Sequence, residues 1–298
     1  MPLPEPPPVG AAMLPPDTFA GDVVLVTGGG TGLGKAMGIE FARLGATVAI
    51  VSRDPEHAAT GIVAIEAAGG RAVAAAADVR DPESVARAFD EVEAAAGPVT
   101  VLVNNAAGNF TARAEDMSPN AWRSVTQIVL DGTFFCSTEF ARRRIAAAAP
   151  GAVLNIGATY SWTGGPGTAH SAAAKAAVTN LTQSLAVEWA PHGIRVNCLA
   201  PGLFPHDDLP AHLRPARLRA GRDPDDDARR VPGGRVGRPH ELGWAATYLC
   251  SPFAAYLTGH TLVLDGANWL RRGLRMPEFV PVADQIADRA GSSDAGPE

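Results

Sequence analysis

The amino-acid sequence predicts an α/β domain in which a parallel sheet is covered by helices on both faces. Short apolar runs alternate with helix-compatible stretches from residue 22 onward, the order that builds βαβ units. The runs are nearly unbroken Val, Leu, Ile and Ala, the composition of strands buried on both sides. The first run ends in a glycine-rich loop, TGGGTGLG at 27–34, that opens a helix-compatible stretch.

In chain order, DVVLVTG (22–28) is the first strand, the alanine-rich stretch through Leu44 the first helix, and TVAIVS (47–52) the second strand. A helix around 56–68, the strand RAVAAAAD (71–78), a helix from Pro82 to Ala96 and the strand VTVLVNNA (99–106) continue the alternation. A long helix follows from about Ala121 to Ala147, then the strand GAVLNIGA, a helix from about Ser171 to Ala190 and the strand IRVNCLAPG. TLVLDG, ending at Gly266, is a last edge strand.

Between Gly202 and Gly237 the pattern gives way to prolines, arginines and the cluster DPDDD, a stretch too long for an ordinary connection. An insertion at 203–237, after a strand's carboxyl end, is either a lid over the site or a solvated excursion. The opening MPLPEPPPVGAAMLPP lacks the basic start and apolar run of a secretory signal. Residues 1–20 therefore read as a flexible leader, 21–275 as one domain, and 276–298 as a tail that frays.

With 298 residues and 46% apolar content the chain has material for one substantial core. A net charge of −6 leaves no basic footprint for nucleic acid, so an anionic substrate must be met by local arginines. No run approaches the ~18 apolar residues of a membrane span. Cys136, Cys198 and Cys250 are widely spaced, with no CxxC and no histidine pair nearby. Disulfides and zinc are disfavoured, metal ligands are not expected, and three buried thiols in a reducing cytoplasm are.

The strand-loop-helix setting of TGGGTGLG points to a dinucleotide site. Gly28, Gly30, Thr31, Gly32 and Leu33 let the backbone approach a pyrophosphate at the helix N-terminus. The second strand ends in Ser52 and Arg53, which donate to a 2′-phosphate, where an acidic residue would bind ribose hydroxyls and repel it. NADP(H) is favoured; Asp54, if turned inward, would serve NAD instead. Asp78, with Val79 beside it in the expected cofactor site, either accepts a bond from the adenine amino group or caps the helix before Pro82.

TGGGTGLG, DVRDP (78–82), NNAAG (104–108), the lysine of SAAAK and IRVNCLAPG together resemble the short-chain dehydrogenase/reductase superfamily over residues 22 to about 270. The resemblance implies a single Rossmann-like, doubly wound domain with a seven-stranded parallel sheet, commonly a tetramer. It places Lys175 on the nicotinamide ribose, Asn105 beside the nicotinamide, and Pro201 and Gly202 over it.

The departures are specific. The family's usual acid is a tyrosine four residues before the lysine; here that position is Ser171. The usual serine falls on Ala158 and the usual helical asparagine on Val129. A serine hydroxyl is a poor substitute for a phenol, whose reference pKa of about 10 can be lowered by an ammonium. A degenerate NADP-binding protein, a carbonyl reductase with an unconventional acid, and a reductase of an activated double bond all remain open at this point.

NNAAGNF (104–110), SPNAW (118–122), IVLDGTF (128–134) and a tyrosine eleven residues before Ser171 look like the 2,4-dienoyl-CoA reductase branch, especially its mitochondrial type. That resemblance implies Tyr160 as acid, Asn109 as second donor to the thioester oxygen, and Ser171 and Lys175 as the rest of the hydrogen-bonded set. It also implies substrate contacts at Arg80, Phe110 and Ser118, and an acyl-CoA substrate. The plainer alternatives are that Tyr160 packs beside Trp162, Asn109 satisfies its own turn, and Ser171 caps the helix it begins. The lid offers Arg214, Arg217, Arg219 and Arg222, but its sequence does not align with the further substrate arginine of the branch, and arginines so placed are more often solvated than ligating, so they are not assigned to the site.

Overall fold

The structure, a computed structural model, describes residues 1–206, 208, 225–271 and 280–291. Its strands are β1 (Val23–Thr27), β2 (Thr47–Ser52), β3 (Arg71–Ala76), β4 (Val99–Asn104), β5 (Gly151–Ile156), β6 (Ile194–Pro201) and β7 (Thr261–Leu264). They form one sheet in the order β3–β2–β1–β4–β5–β6–β7, every neighbouring pair parallel. The helices are α1 (Gly32–Arg43), α2 (Pro55–Ala67), α3 (Pro82–Ala96), α4 (Pro119–Thr126), α5 (Gly132–Ala146), α6 (Tyr160–Thr163), α7 (Ala169–Trp189), α8 (Asp225–Ala228), α9 (Pro239–Cys250) and α10 (Val282–Gly291).

The two-residue period of the strands divides the core. Val24, Val26, Val48 and Ile50 pack with Met37 and Phe41 of α1 and with Leu242, Ala246 and Leu249 of α9. Val23, Leu25, Ala49 and Val51 point the other way, onto Phe89 and Val92 of α3, Phe140 of α5 and Trp189 of α7. Burying each large apolar side chain stabilises the fold by about 1.5–3 kcal/mol. The chain winds outward from β1 through β2 to β3, then crosses back to β4 on the other side of β1, so a crevice opens at the carboxyl ends of β1 and β4.

Helices α2 and α3 begin at Asp-Pro pairs. Asp54 Oδ1 accepts the Glu56 N–H at 2.9 Å and Asp81 Oδ1 the Glu83 N–H at 3.0 Å, each followed by a proline that needs no hydrogen-bond partner. The cap of α3 is therefore Asp81, and the capping alternative for Asp78 is corrected.

The long helix expected from Ala121 to Ala147 starts at Pro119 and is not uniform. A π-helical stretch, Gln127–Asp131, separates α4 from α5. One wide turn changes the phase by about a residue, too little to show in an apolar period, yet such turns often adjoin functional sites. Helix α7 begins at Ala169, so Ser171 sits inside its first turn and does not cap it.

The expected boundary near residue 20 falls inside the packed core. Leu14 and Phe19 are buried, and the Phe19 ring meets Phe41 edge-on at 5.1 Å. Further upstream, Leu3 N–H donates to Gly233 O at 2.7 Å, and Glu5 pairs with Arg238 at 3.0 Å. The leader thus lies against the segment that follows the insertion. The insertion's centre, with Arg214, Arg217, Arg219 and Arg222, lies outside the described residues, as do 272–279 and 292–298. The three cysteines are buried free thiols. Among the described residues no helix is long and apolar enough to cross a membrane.

Candidate active site

The site is assembled where β1 and β4 end. Thr27 Oγ1 accepts the N–H groups of Asn105 and Ala106, both at 3.0 Å, and so ties the two strands together. The Asn105 amide donates to Thr27 O at 3.0 Å and Gly28 O at 3.1 Å, which holds the glycine loop in place. Gly28 and Gly32 have φ of 64° and 53°, a region that a side chain disfavours. At Gly30 a Cβ would lie 2.1 Å from the His57 carbonyl oxygen, so this glycine admits α2, and the expected cofactor contact is not its visible role.

A cleft of about 680 Å³ runs across the carboxyl ends of the strands. Its lining brings together Gly28, Thr31, Gly32 and Leu33 of the loop, Ser52 and Arg53 at the end of β2, Val79, Asn105, Tyr160, Lys175, Pro201 and Gly202. Backbone N–H groups stand at the head of α1, with cationic and hydroxyl donors at one end and a lysine at the other. These donors and the glycine cradle fit a dinucleotide with its pyrophosphate at the middle. Asp54 is committed to capping α2, and its other oxygen lies 3.7 Å from His57 Nε2. Sequence reasoning passed over His57, which also lines the cleft, because nothing local marks a residue inside a helix's first turn as facing it.

At the other end, Lys175 is buried on α7 and its Nζ donates to the carbonyl of Ile156. Burial pushes its pKa down to about 8. Tyr160 opens α6, and its hydroxyl lies 3.0 Å from Ser171 Oγ. Burial raises the phenol's pKa, against a smaller opposing effect from Ser171, so the phenol keeps its proton at neutral pH and has one to donate. Ser171 is buried behind it, while Ala158 lines the cleft where the family's serine would stand.

Several expected site residues lie elsewhere. Asp78 and Arg80 are outside the cleft lining and pair with each other, Arg80 Nε donating to both carboxylate oxygens at 2.9 and 3.0 Å. That bond from Arg80 is the main reason the Asp78 carboxyl is held below its usual range. Ser118 is exposed and caps α4, accepting the Ala121 N–H at 3.1 Å. Asn109 Oδ1 accepts the N–H of Phe110 at 2.9 Å, the turn contact expected of a loop asparagine, and its amide N–H groups are not used in that bond. Phe110 is half-buried, its ring 4.3 Å from His170.

A buried amide network beneath the cleft was not visible in the sequence. Asn104 Nδ2 donates to Ser137 Oγ at 2.8 Å and to Asn155 Oδ1 at 2.9 Å, and Asn155 Nδ2 donates to Thr182 Oγ1 at 2.9 Å. It links β4, α5, β5 and α7, which are distant in sequence.

Residues 28–267 match a family described as enoyl-(acyl carrier protein) reductase. The chain belongs to the short-chain dehydrogenase/reductase superfamily. The chain is 40% identical to a probable 2,4-dienoyl-CoA reductase of Bacillus subtilis, described as (2E)-enoyl-CoA-producing, over 83% of the chain and 96% of the relative. It is 34% identical to a peroxisomal, (3E)-enoyl-CoA-producing 2,4-dienoyl-CoA reductase of Arabidopsis thaliana, over 88% and 89% of the two chains. A solved gluconate 5-dehydrogenase of Burkholderia cenocepacia, in complex with NADP and tartrate, superposes with a TM-score of 0.77 at 34% identity, covering 86% of this chain and 99% of that one. The chain is an oxidoreductase of this superfamily, and a nicotinamide cofactor fits its cleft.

Proposed function

We propose that this short-chain reductase carries out NADPH-dependent reduction of 2,4-dienoyl-CoA thioesters to enoyl-CoA in the breakdown of unsaturated fatty acids. The observation that carries the reading is the Tyr160 phenol, lining the same cleft as Lys175 and hydrogen-bonded to Ser171 at 3.0 Å. The names of the relatives support it. NADPH is favoured over NADH because Arg53, exposed in the cleft lining and held only by a long 3.9 Å ion pair with Asp78, can turn to a 2′-phosphate, while Asp54 is engaged at the head of α2.

When bound, the reduced nicotinamide supplies a hydride to the δ carbon of the dienoyl group. Negative charge then moves through the conjugation to the thioester oxygen. Tyr160 donates its phenolic proton as a hydrogen bond to that oxygen, and Asn109 offers its amide N–H as the second donor. One such donor is worth about 3 kcal/mol of barrier height. Ser171 holds the phenol in direction, and Lys175 orients the nicotinamide ribose. Protonation of the α carbon from water leaves a 3-enoyl thioester.

The reading extends to a cytoplasmic homotetramer, whose contacts would cover the exposed Phe134 and Val187. The mass in solution checks that assembly. For the reaction, purified protein is mixed with NADPH and a 2,4-dienoyl-CoA, and the absorbances of diene and cofactor are followed together. Concurrent loss of both is expected. No turnover there, with brisk reduction of a 3-oxoacyl thioester, would overturn the proposal.

A further inference from the structure

The anion position at the head of α1 is contacted by the chain itself. Asp208, beyond the end of β6, turns its carboxylate into the cofactor cleft. Its Oδ2 accepts the Gly32 backbone N–H at 2.7 Å and lies 2.6 Å from Lys35 Nζ. Gly32 N–H is the first of α1, one of the four donors that a helix leaves without an internal partner, at the positive end of its dipole. Partial burial works to raise the Asp208 pKa, but Lys35 and Gly32 together hold it below the usual carboxylate range. The His206 ring lies over Gly32, so close that a Cβ there would be 2.8 Å from Cε1.

We propose that Asp208 is an internal stand-in for the cofactor's pyrophosphate, and that Lys35, which it holds in this structure, is itself a pyrophosphate ligand. The inference rests on the dinucleotide reading of the cleft. A carboxylate and a phosphate oxygen cannot both take one N–H, and their like charges repel at hydrogen-bonding range. Binding is therefore an exchange. Gly32 N–H and the Lys35 ammonium keep an anionic partner in both states, so neither is left unpaired and the exchange costs little. Apparent affinity is still reduced by the fraction of molecules in which Asp208 holds the position.

The test titrates NADPH and NADH, by nicotinamide fluorescence, into the full chain and into Asp208→Ala, Lys35→Met and the double variant. The ion pair is partly exposed, so its loss should tighten binding of both dinucleotides about fivefold. Both should respond alike because the pyrophosphate is common to them. In the Asp208→Ala background, Lys35→Met should weaken binding about tenfold. In the Lys35→Met background, Asp208→Ala should still tighten binding by freeing Gly32 N–H, but by less than in the presence of Lys35.

Unchanged affinity in Asp208→Ala overturns the proposal. An equal gain with and without Lys35 overturns the assignment of Lys35 as a pyrophosphate ligand, because the exchange would then run through Gly32 N–H alone. Tightening confined to NADPH overturns the proposal, since it would lie at the 2′ end. Absence of binding to either dinucleotide by the unaltered protein would instead overturn the cofactor reading on which the inference stands.

Discussion

The Tyr160 hydroxyl lies 3.0 Å from the Ser171 hydroxyl, across eleven residues of chain. Ser171 stands where the family keeps its catalytic phenol, and here that residue becomes the partner of a phenol delivered by the preceding loop. Burial keeps this phenol protonated. It suits a reaction that builds negative charge on a carbonyl oxygen and needs a donor there, more than one that needs a phenolate base.

Replacing Tyr160 by phenylalanine should lower kcat for a dienoyl-CoA about 10²- to 10³-fold. NADPH affinity should change by less than about twofold, because on the proposed reading the missing hydroxyl would contact substrate and not cofactor. Steady-state kinetics and cofactor titration on one preparation separate the two effects. An unchanged kcat would remove Tyr160 from the reaction.

Lys175 gives a pH dependence of definite sign. Its pKa in the folded chain is about 8, below its ordinary value of 10.5. Between those values the unfolded chain carries the proton that the folded chain has released, so this residue makes stability rise with pH across that window. Below pH 8 the full penalty of burying the ammonium is present. Thermal melts of the protein and of Lys175→Met, from pH 7 to 10.5, should differ in slope by this amount; parallel curves would contradict the assignment.

Arg53→Ala should weaken NADPH at least tenfold and NADH less than about twofold, because on the proposed reading the guanidinium would meet the 2′-phosphate that NADH lacks. Asp54→Ala should act on stability instead, costing about 1 kcal/mol through the lost cap of α2. Equal losses for the two dinucleotides in Arg53→Ala would count against the choice of NADPH.

Gly30→Ala should destabilise the protein by about 3 kcal/mol or more. The added methyl would meet the His57 carbonyl at 2.1 Å, and a backbone oxygen in a packed helix cannot give way. Gly108→Ala is the control, since its methyl would reach Ile128 only at an ordinary 3.5 Å. Denaturant midpoints of both variants report the difference.

The strands were legible because Val23–Thr27 and Thr47–Ser52 carry their fold in local pattern, and the helices α2 and α3 because helix-compatible stretches lie between successive apolar runs; their caps, Asp54 and Asp81, were not assigned from the sequence. The π turn at Gln127–Asp131 was not, because one widened turn shifts the apolar period by about a residue. Ser118 and Arg80 were placed in the site by likeness alone, and Asp78 by its position at the end of the third strand. Their contacts in the structure are a helix cap and a paired carboxylate and guanidinium, arrangements that depend on which way a side chain turns.

By itself the sequence determined the alternation of strand and helix, the glycine loop, and that a serine stands at 171 with a tyrosine eleven residues before it, since each is a matter of residue type at a given spacing. Only the tertiary structure decided that Leu14 and Phe19 belong to the core, that Asn104 and Asn155 join under the cleft, and that Asp208 reaches Gly32 and Lys35. Those are meetings of residues far apart along the chain. Their distances follow from how the layers pack, and no local pattern encodes them.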